Sequence, residues 1–293
     1  MSETSPSSEL PPGLVHSAAD NPYISPTARD ASDVPVASEI SQPFIVTEPR
    51  WGFWATIALG VAVVCVFLGL QTVVVIPFVI VKMATADGKA DPTAMAASLG
   101  SDGLLLGLAT LVSVPPSIGL VSLFAKLKRG ATVRGHLGIH GVSPRVAGLA
   151  IGAVLVYVAA AQVLGYALGW DGSTFMVDAY TTAAFLPLLW IALVALAPLF
   201  EEIFFRGFLL EGLRTSRLGP FGAVVLTSFA WACAHIQYDA YYIGVIFGGG
   251  LLLGTVKLRT GSTLLAIAMH ALWNVIAMLE VVVYLQMNGN GVG

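Results

Sequence analysis

Charge is what this chain has least of. Only 11% of its 293 residues are Asp, Glu, Lys or Arg, where a soluble domain carries about a quarter, and 56% are hydrophobic. So thin a polar coat excludes a water-soluble globule and points to a chain whose solvent is the bilayer. Basic residues are in no excess, with a formal net charge of -3, so nothing suggests a nucleic-acid partner. Cysteine is reduced to Cys65 and Cys233. Both lie in apolar runs and read as small buried hydrophobes, which excludes a disulfide framework or a cysteine metal cluster. The first fifty residues lack an apolar stretch behind a basic start, so no cleavable signal peptide is expected and the first hydrophobic helix serves as its own insertion signal. Internal repeats and low-complexity blocks are also missing.

What is present divides the chain. Residues 1 to 50 are rich in Ser, Pro, Asp and Glu without an apolar face, and are expected to form a disordered cytosolic tail. A membrane span needs ~20 mostly apolar residues, and that template fits near 52–81, 103–125, 146–168, 183–210, 220–236, 240–256 and 262–286. The fold class expected is all-α, a polytopic membrane bundle of about seven transmembrane helices. Residues 51–182 make up the N-terminal helices, 183–287 the chemically loaded ones, and 288–293 a short tail.

Short cytoplasmic loops retain Lys and Arg. With the N-terminus inside, the cytosolic segments hold Arg29 and Arg50, then Lys126, Lys128, Arg129, Arg134 and Arg145, then Arg214 and Arg217, then Lys257 and Arg259. The opposite side keeps only Lys82 and Lys89. The expectation is a multi-pass cell-membrane protein with a cytosolic N-terminus. His136 and His140 fall in the basic loop 126–145 and read as solvated.

An ionisable residue inside a span is a functional-site hypothesis by default. The fourth span, LVALAPLFEEIFFRGFLLEGLR, carries Glu201, Glu202 and Arg206; the fifth, LTSFAWACAHIQ, carries His235; the seventh, LLAIAMHALWNVIAM, carries His270 and Asn274. From the turn at Leu218, Gly219 and Pro220, Glu201 lies seventeen residues back and His235 seventeen forward, so antiparallel helices put both at similar depth. Matching His270 to that depth requires the fourth and fifth helices to protrude into the cytosol, which Glu211, Arg214 and Arg217 permit. Glu202 and Arg206, four apart, share a face, as do His270 and Asn274; Glu201 points about 100° from Glu202. One carboxylate is therefore expected on Arg206 and the other facing the two histidines. Glu202 with Arg206 reads first as a buried ion pair that orients the site. Glu280 and Asp239 read as solvated helix ends, and Gly248, Gly249 and Gly250 as a close-packing stretch.

A carboxylate beside a neutral imidazole can deprotonate water and return the proton to a leaving amine. Glu201 with His235 fits that use, and His270 with Asn274 could stabilise the oxygen on which charge develops. The same atoms allow a second reading, a zinc ion on Glu201, His235 and His270 with an open position for water. Spacing alone leaves both open.

EEIFFR at 201–206 and HALWN at 270–274 resemble the EExxxR and HxxxN signatures of the CPBP family, the CAAX prenyl endopeptidases and bacteriocin-processing enzymes. The middle FxxxH signature is similar to WACAH here, with Trp231 where Phe is usual. The resemblance covers roughly residues 183–278. It implies an α-helical intramembrane endopeptidase acting on membrane-associated peptides or proteins in the lipid bilayer, with Glu201 and His235 activating water and His270 and Asn274 forming the oxyanion site. Glu202 and Arg206 complete the first signature. A transporter relaying protons, or a scaffold binding peptides or prenylated tails without cleaving them, would use the same residues. The first is disfavoured because the polar pattern is not repeated in a second half.

Overall fold

The computed structural model describes residues 50–85, 91–170 and 173–288. The expected tail over residues 1 to 49, and the C-terminal tail beyond 288, lie outside the described residues. In chain order the helices are α1 (Phe53–Thr85), α2 (Pro92–Leu99), α3 (Gly103–Leu127), α4 (Val133–Leu137), α5 (Pro144–Ala167), α6 (Thr174–Thr182), α7 (Leu186–Leu213), α8 (Gly219–Cys233), α9 (Ala240–Thr260) and α10 (Thr263–Met287). Among the described residues there is no strand. The protein is an all-α, polytopic bundle.

Six of these helices, α1, α3, α5, α7, α9 and α10, are long and apolar enough to cross a membrane. The expected span 220–236 is the difference. Its helix, α8, stops at Cys233 after 15 residues, ~22 Å of rise against a hydrocarbon core of ~30 Å. Residues 234–237 follow as turns, and His235 sits in them rather than within a helix.

Helix starts follow local chemistry. The side chains of Asp102, Ser143 and Ser262 accept from the backbone N–H groups of Leu105, Val146 and Leu265, capping α3, α5 and α10, and Pro144 occupies the first turn of α5, where a missing N–H leaves no bond unmade. The outer faces are apolar, since lipid replaces water there. α1 buries only Thr56, Gly60 and Val63, and it approaches α7 where Gly212 meets Thr56: a Cβ on Gly212 would lie 2.1 Å from Thr56 Oγ1. Cys65 and Cys233, expected to be buried, are both exposed. An apolar solvent makes burial of a thiol unnecessary.

At one end of the bundle the basic residues collect. Glu211 accepts from Arg50 Nε at 3.0 Å and Arg214 Nε at 2.9 Å, and Lys257 Nζ lies 3.1 Å from its other oxygen. Nearby, Trp51 Nε1 donates to the Phe124 carbonyl at 3.0 Å, and Lys128 Nζ sits 5.0 Å from the centre of the Trp51 ring. The start of α1 and the ends of α3, α7 and α9 therefore share one end. Glu211 and Arg214, expected to project into the cytosol, are buried because that ion cluster ties them down.

The loop after α3 differs from its expected solvated state for a related reason. Thr263 donates its backbone N–H to the Gly138 carbonyl at 2.8 Å and its hydroxyl to the Leu137 carbonyl at 2.5 Å, pinning α4 to the turn between α9 and α10. Gly138 adopts φ +66°, and a Cβ there would lie 2.4 Å from the Gly261 carbonyl oxygen, so only glycine permits this docking. His136 is buried beneath it, 6.1 Å from the Phe208 ring; His140 stays exposed.

Candidate active site

The site is built on an irregular α7. Pro198 lies inside this helix and has no N–H to give. Just before it, residues Ile191–Leu196 form a π-helix in which Ala197 N–H bonds five residues back, to Ala192. In that register the next donor would be residue 198, bonding to Leu193. Pro198 leaves the Leu193 carbonyl without it, and Asn274 Nδ2 of α10 takes that carbonyl at 2.7 Å. A second π-helix, Glu202–Leu209, carries most of the EEIFFR segment. Wide turns of this kind are rare and cluster at functional sites.

Glu202 and Arg206 are wholly buried and paired, Nη1 to Oε1 at 2.9 Å, as the four-residue spacing requires. Arg206 Nη2 also donates to the Gly250 carbonyl of α9 at 3.4 Å. His270 Nδ1 lies 2.9 Å from the same Oε1. This departs from the expectation that a single carboxylate would face both histidines. Each carboxylate takes one, and the Trp231 ring packs against both His235 and His270 in T-shaped contacts, with centroids 5.3 and 5.1 Å away.

Glu201 and His235 form the other pair, half-open to the cavity. Glu201 Oε2 accepts from Trp231 Nε1 at 2.5 Å and lies 4.0 Å from His235 Nε2. His235 Nδ1 lies 2.8 Å from the Trp231 carbonyl. A carbonyl only accepts, so Nδ1 carries the hydrogen and, in a neutral ring, Nε2 carries the lone pair. Two acceptors then face each other across 4.0 Å. A water placed between them would donate one O–H to each, at about 2.8 Å per bond.

Glu201, His235, His270 and Asn274 all line one cavity of about 1110 Å³. Its walls include Phe67, Phe200, Met176, Tyr238 and Trp273, so it is apolar with a few convergent polar groups, the usual form of a ligand site. Glu280, expected at a solvated end, lines the same cavity and accepts from Gln162 Nε2 at 2.5 Å. Gly248, Gly249 and Gly250 are unbroken helix within α9, and a Cβ on Gly249 would meet the Trp273 ring at 2.1 Å.

A catalytic zinc ion would need about three protein donors converging on one point. Among the described residues no three His, Cys, Asp or Glu side chains are grouped to hold a metal ion. His270 Nδ1 is engaged by Glu202, which leaves Nε2 as its remaining ring nitrogen. As placed, Glu201, His235 and His270 do not form such a group.

The groups that sequence reasoning missed are backbone ones, the Leu193 and Gly250 carbonyls, together with the Trp231 N–H. Pro198 within an apolar span was the available signal for the first. Trp231 counted only as an aromatic standing in for another.

Comparison with known proteins places this region. Residues 183–276, about a third of the chain, match the family model described as Type II CAAX prenyl endopeptidase Rce1-like. A relative described as an uncharacterized 24.3 kDa protein of Escherichia coli is 30% identical over 125 residues, which cover 41% of this chain and 57% of the relative. The chain thus spans a little over half the length of that relative. No solved structure matches.

Proposed function

We propose that the chain is an intramembrane endopeptidase that hydrolyses membrane-associated peptides through a water held by Glu201 and His235, a reading supported by the match of residues 183–276 to the family model of type II CAAX prenyl endopeptidases. The observation that carries the reading is the 4.0 Å gap between two acceptors, Glu201 Oε2 and His235 Nε2. With one O–H aimed at each acceptor, the water's lone pair is left for the carbonyl carbon. One of the two then carries the proton to the departing amine.

Developing charge on the carbonyl oxygen would fall to His270 and Asn274. Asn274 spends one amide hydrogen on the Leu193 carbonyl and keeps another. A His270 that donates from Nε2 while Nδ1 bonds Glu202 carries both protons, with Glu202 as its counter-ion. Two carboxylates, one guanidinium and one imidazolium sum to zero charge, which suits a medium of low dielectric. The large apolar cavity supports a substrate that arrives from the bilayer with an apolar segment.

The test is cleavage of a quenched peptide library by purified protein in detergent or vesicles. Wild type should cleave, and Glu201→Gln and His235→Ala should each lose about a hundredfold or more in kcat/KM. A chelator should leave the rate unchanged; loss on chelation restored by zinc would replace this mechanism with a metal one. Equal turnover in all three proteins would rule out the peptidase reading.

A further inference from the structure

Trp231 occupies the aromatic position of the middle signature, yet it does more than fill space. The residue is 2% exposed and touches four members of the site at once: Glu201 through Nε1, His235 and His270 in T-shaped ring contacts, and Arg206, whose Cζ lies 4.4 Å from the ring centre. The ring cannot easily tilt. The Arg206 guanidinium is stacked on it in a water-poor setting, where such contacts are strongest. Toward α9, a Cβ on Gly250 would come within 3.1 Å of the ring, so the glycine is what lets the indole lie there.

Trp231 also reaches both halves of the acid-base pair by separate atoms. Its side-chain N–H holds Glu201 Oε2, and its main-chain carbonyl holds His235 Nδ1. A carboxylate free to turn about its last bond would present either oxygen at varied angles. Fixing Oε2 sets the carboxylate plane relative to His235 Nε2, and the 4.0 Å gap between them depends on it. We infer that Trp231 is a positioning residue whose indole N–H holds Glu201 in register with His235, a function that a phenylalanine at this position cannot supply. The inference rests on the hydrolytic reading of the site.

The decisive variant is Trp231→Phe, which keeps a smaller aromatic ring among these neighbours and removes the indole donor. The expected result is kcat lower by about tenfold, the scale of one hydrogen bond to a charged group, with KM changed far less because an aromatic ring still lines the cavity there. A second readout is independent of turnover. Protein labelled with ¹⁵N at tryptophan has six indole signals, one per tryptophan, and the one absent in Trp231→Phe identifies itself. Glu201→Ala should move that signal upfield by removing its acceptor. If Glu201→Gln is inactive while Trp231→Phe retains wild-type kcat within about twofold, the positioning role is wrong and the hydrolytic reading stands. If wild type cleaves nothing, the hydrolytic reading fails. An indole signal unmoved by Glu201→Ala would overturn the contact itself.

Discussion

Replacing Arg206 by Met leaves buried Glu202 without its guanidinium partner, and breaking such a pair by removing one member costs about 3–5 kcal/mol in a protein interior. Thermal unfolding in detergent should therefore fall sharply for Arg206→Met, and Glu202→Gln combined with Arg206→Met should recover part of the loss because both members of the ion pair are removed together. An unchanged unfolding temperature in the single variant would mean the pair is not structural. At this scale the sequence was informative where spacing decides direction. The four-residue interval put Glu202 on Arg206, and counting from Leu218 put Glu201 beside His235. It was silent on which histidine meets which acid, because that depends on a third side chain, Trp231, wedged between two helices. It also misjudged Cys65, Cys233 and Glu211, whose burial is set by lipid and by ion pairing rather than by polarity.

Helix α7 shows what a period of 3.6 cannot reveal. Its apolar pattern announces a membrane span, and nothing in that pattern marks two π-helical stretches. The physical cause of one consequence is nonetheless in the sequence: Pro198 withholds the N–H that the Leu193 carbonyl would have received, and Asn274 takes the place. Pro198→Ala restores a competing donor. The expected outcome is a folded protein with kcat lowered about tenfold and KM little changed, since a small displacement of a positioned donor is enough to slow chemistry. Steady-state kinetics on a quenched peptide would check it. Full activity would detach Asn274 from the proline. The short α8 is the other departure at this scale. Its composition extends to 236, but the chain turns after Cys233 and carries His235 on the turn.

For the whole molecule, the spread of Lys and Arg along the chain anticipated their meeting at one end of the bundle, where Arg50, Arg214 and Lys257 surround Glu211. Composition was enough to place the chain in a membrane. It missed the docking of α4 and the burial of His136, because those depend on Gly138 fitting against a turn more than a hundred residues away. Which face of the membrane that end meets is an expectation from charge, and labelling settles it. With Cys65 and Cys233 replaced by Ser, an impermeant thiol reagent applied outside intact cells should label a cysteine at Asn288 or Trp170. It should reach one at Lys128 or Arg259 only after permeabilisation. The reverse pattern would invert the orientation.

The central claim is that Glu201 and His235 act as one unit on one water. A double-mutant cycle on kcat/KM for peptide cleavage measures this directly, using Glu201→Gln, His235→Ala and the two combined. Groups that serve one step should be strongly non-additive, so the double variant should be about as slow as either single one. Losses that multiply, or a Glu201→Gln protein that cleaves at the wild-type rate, would contradict it.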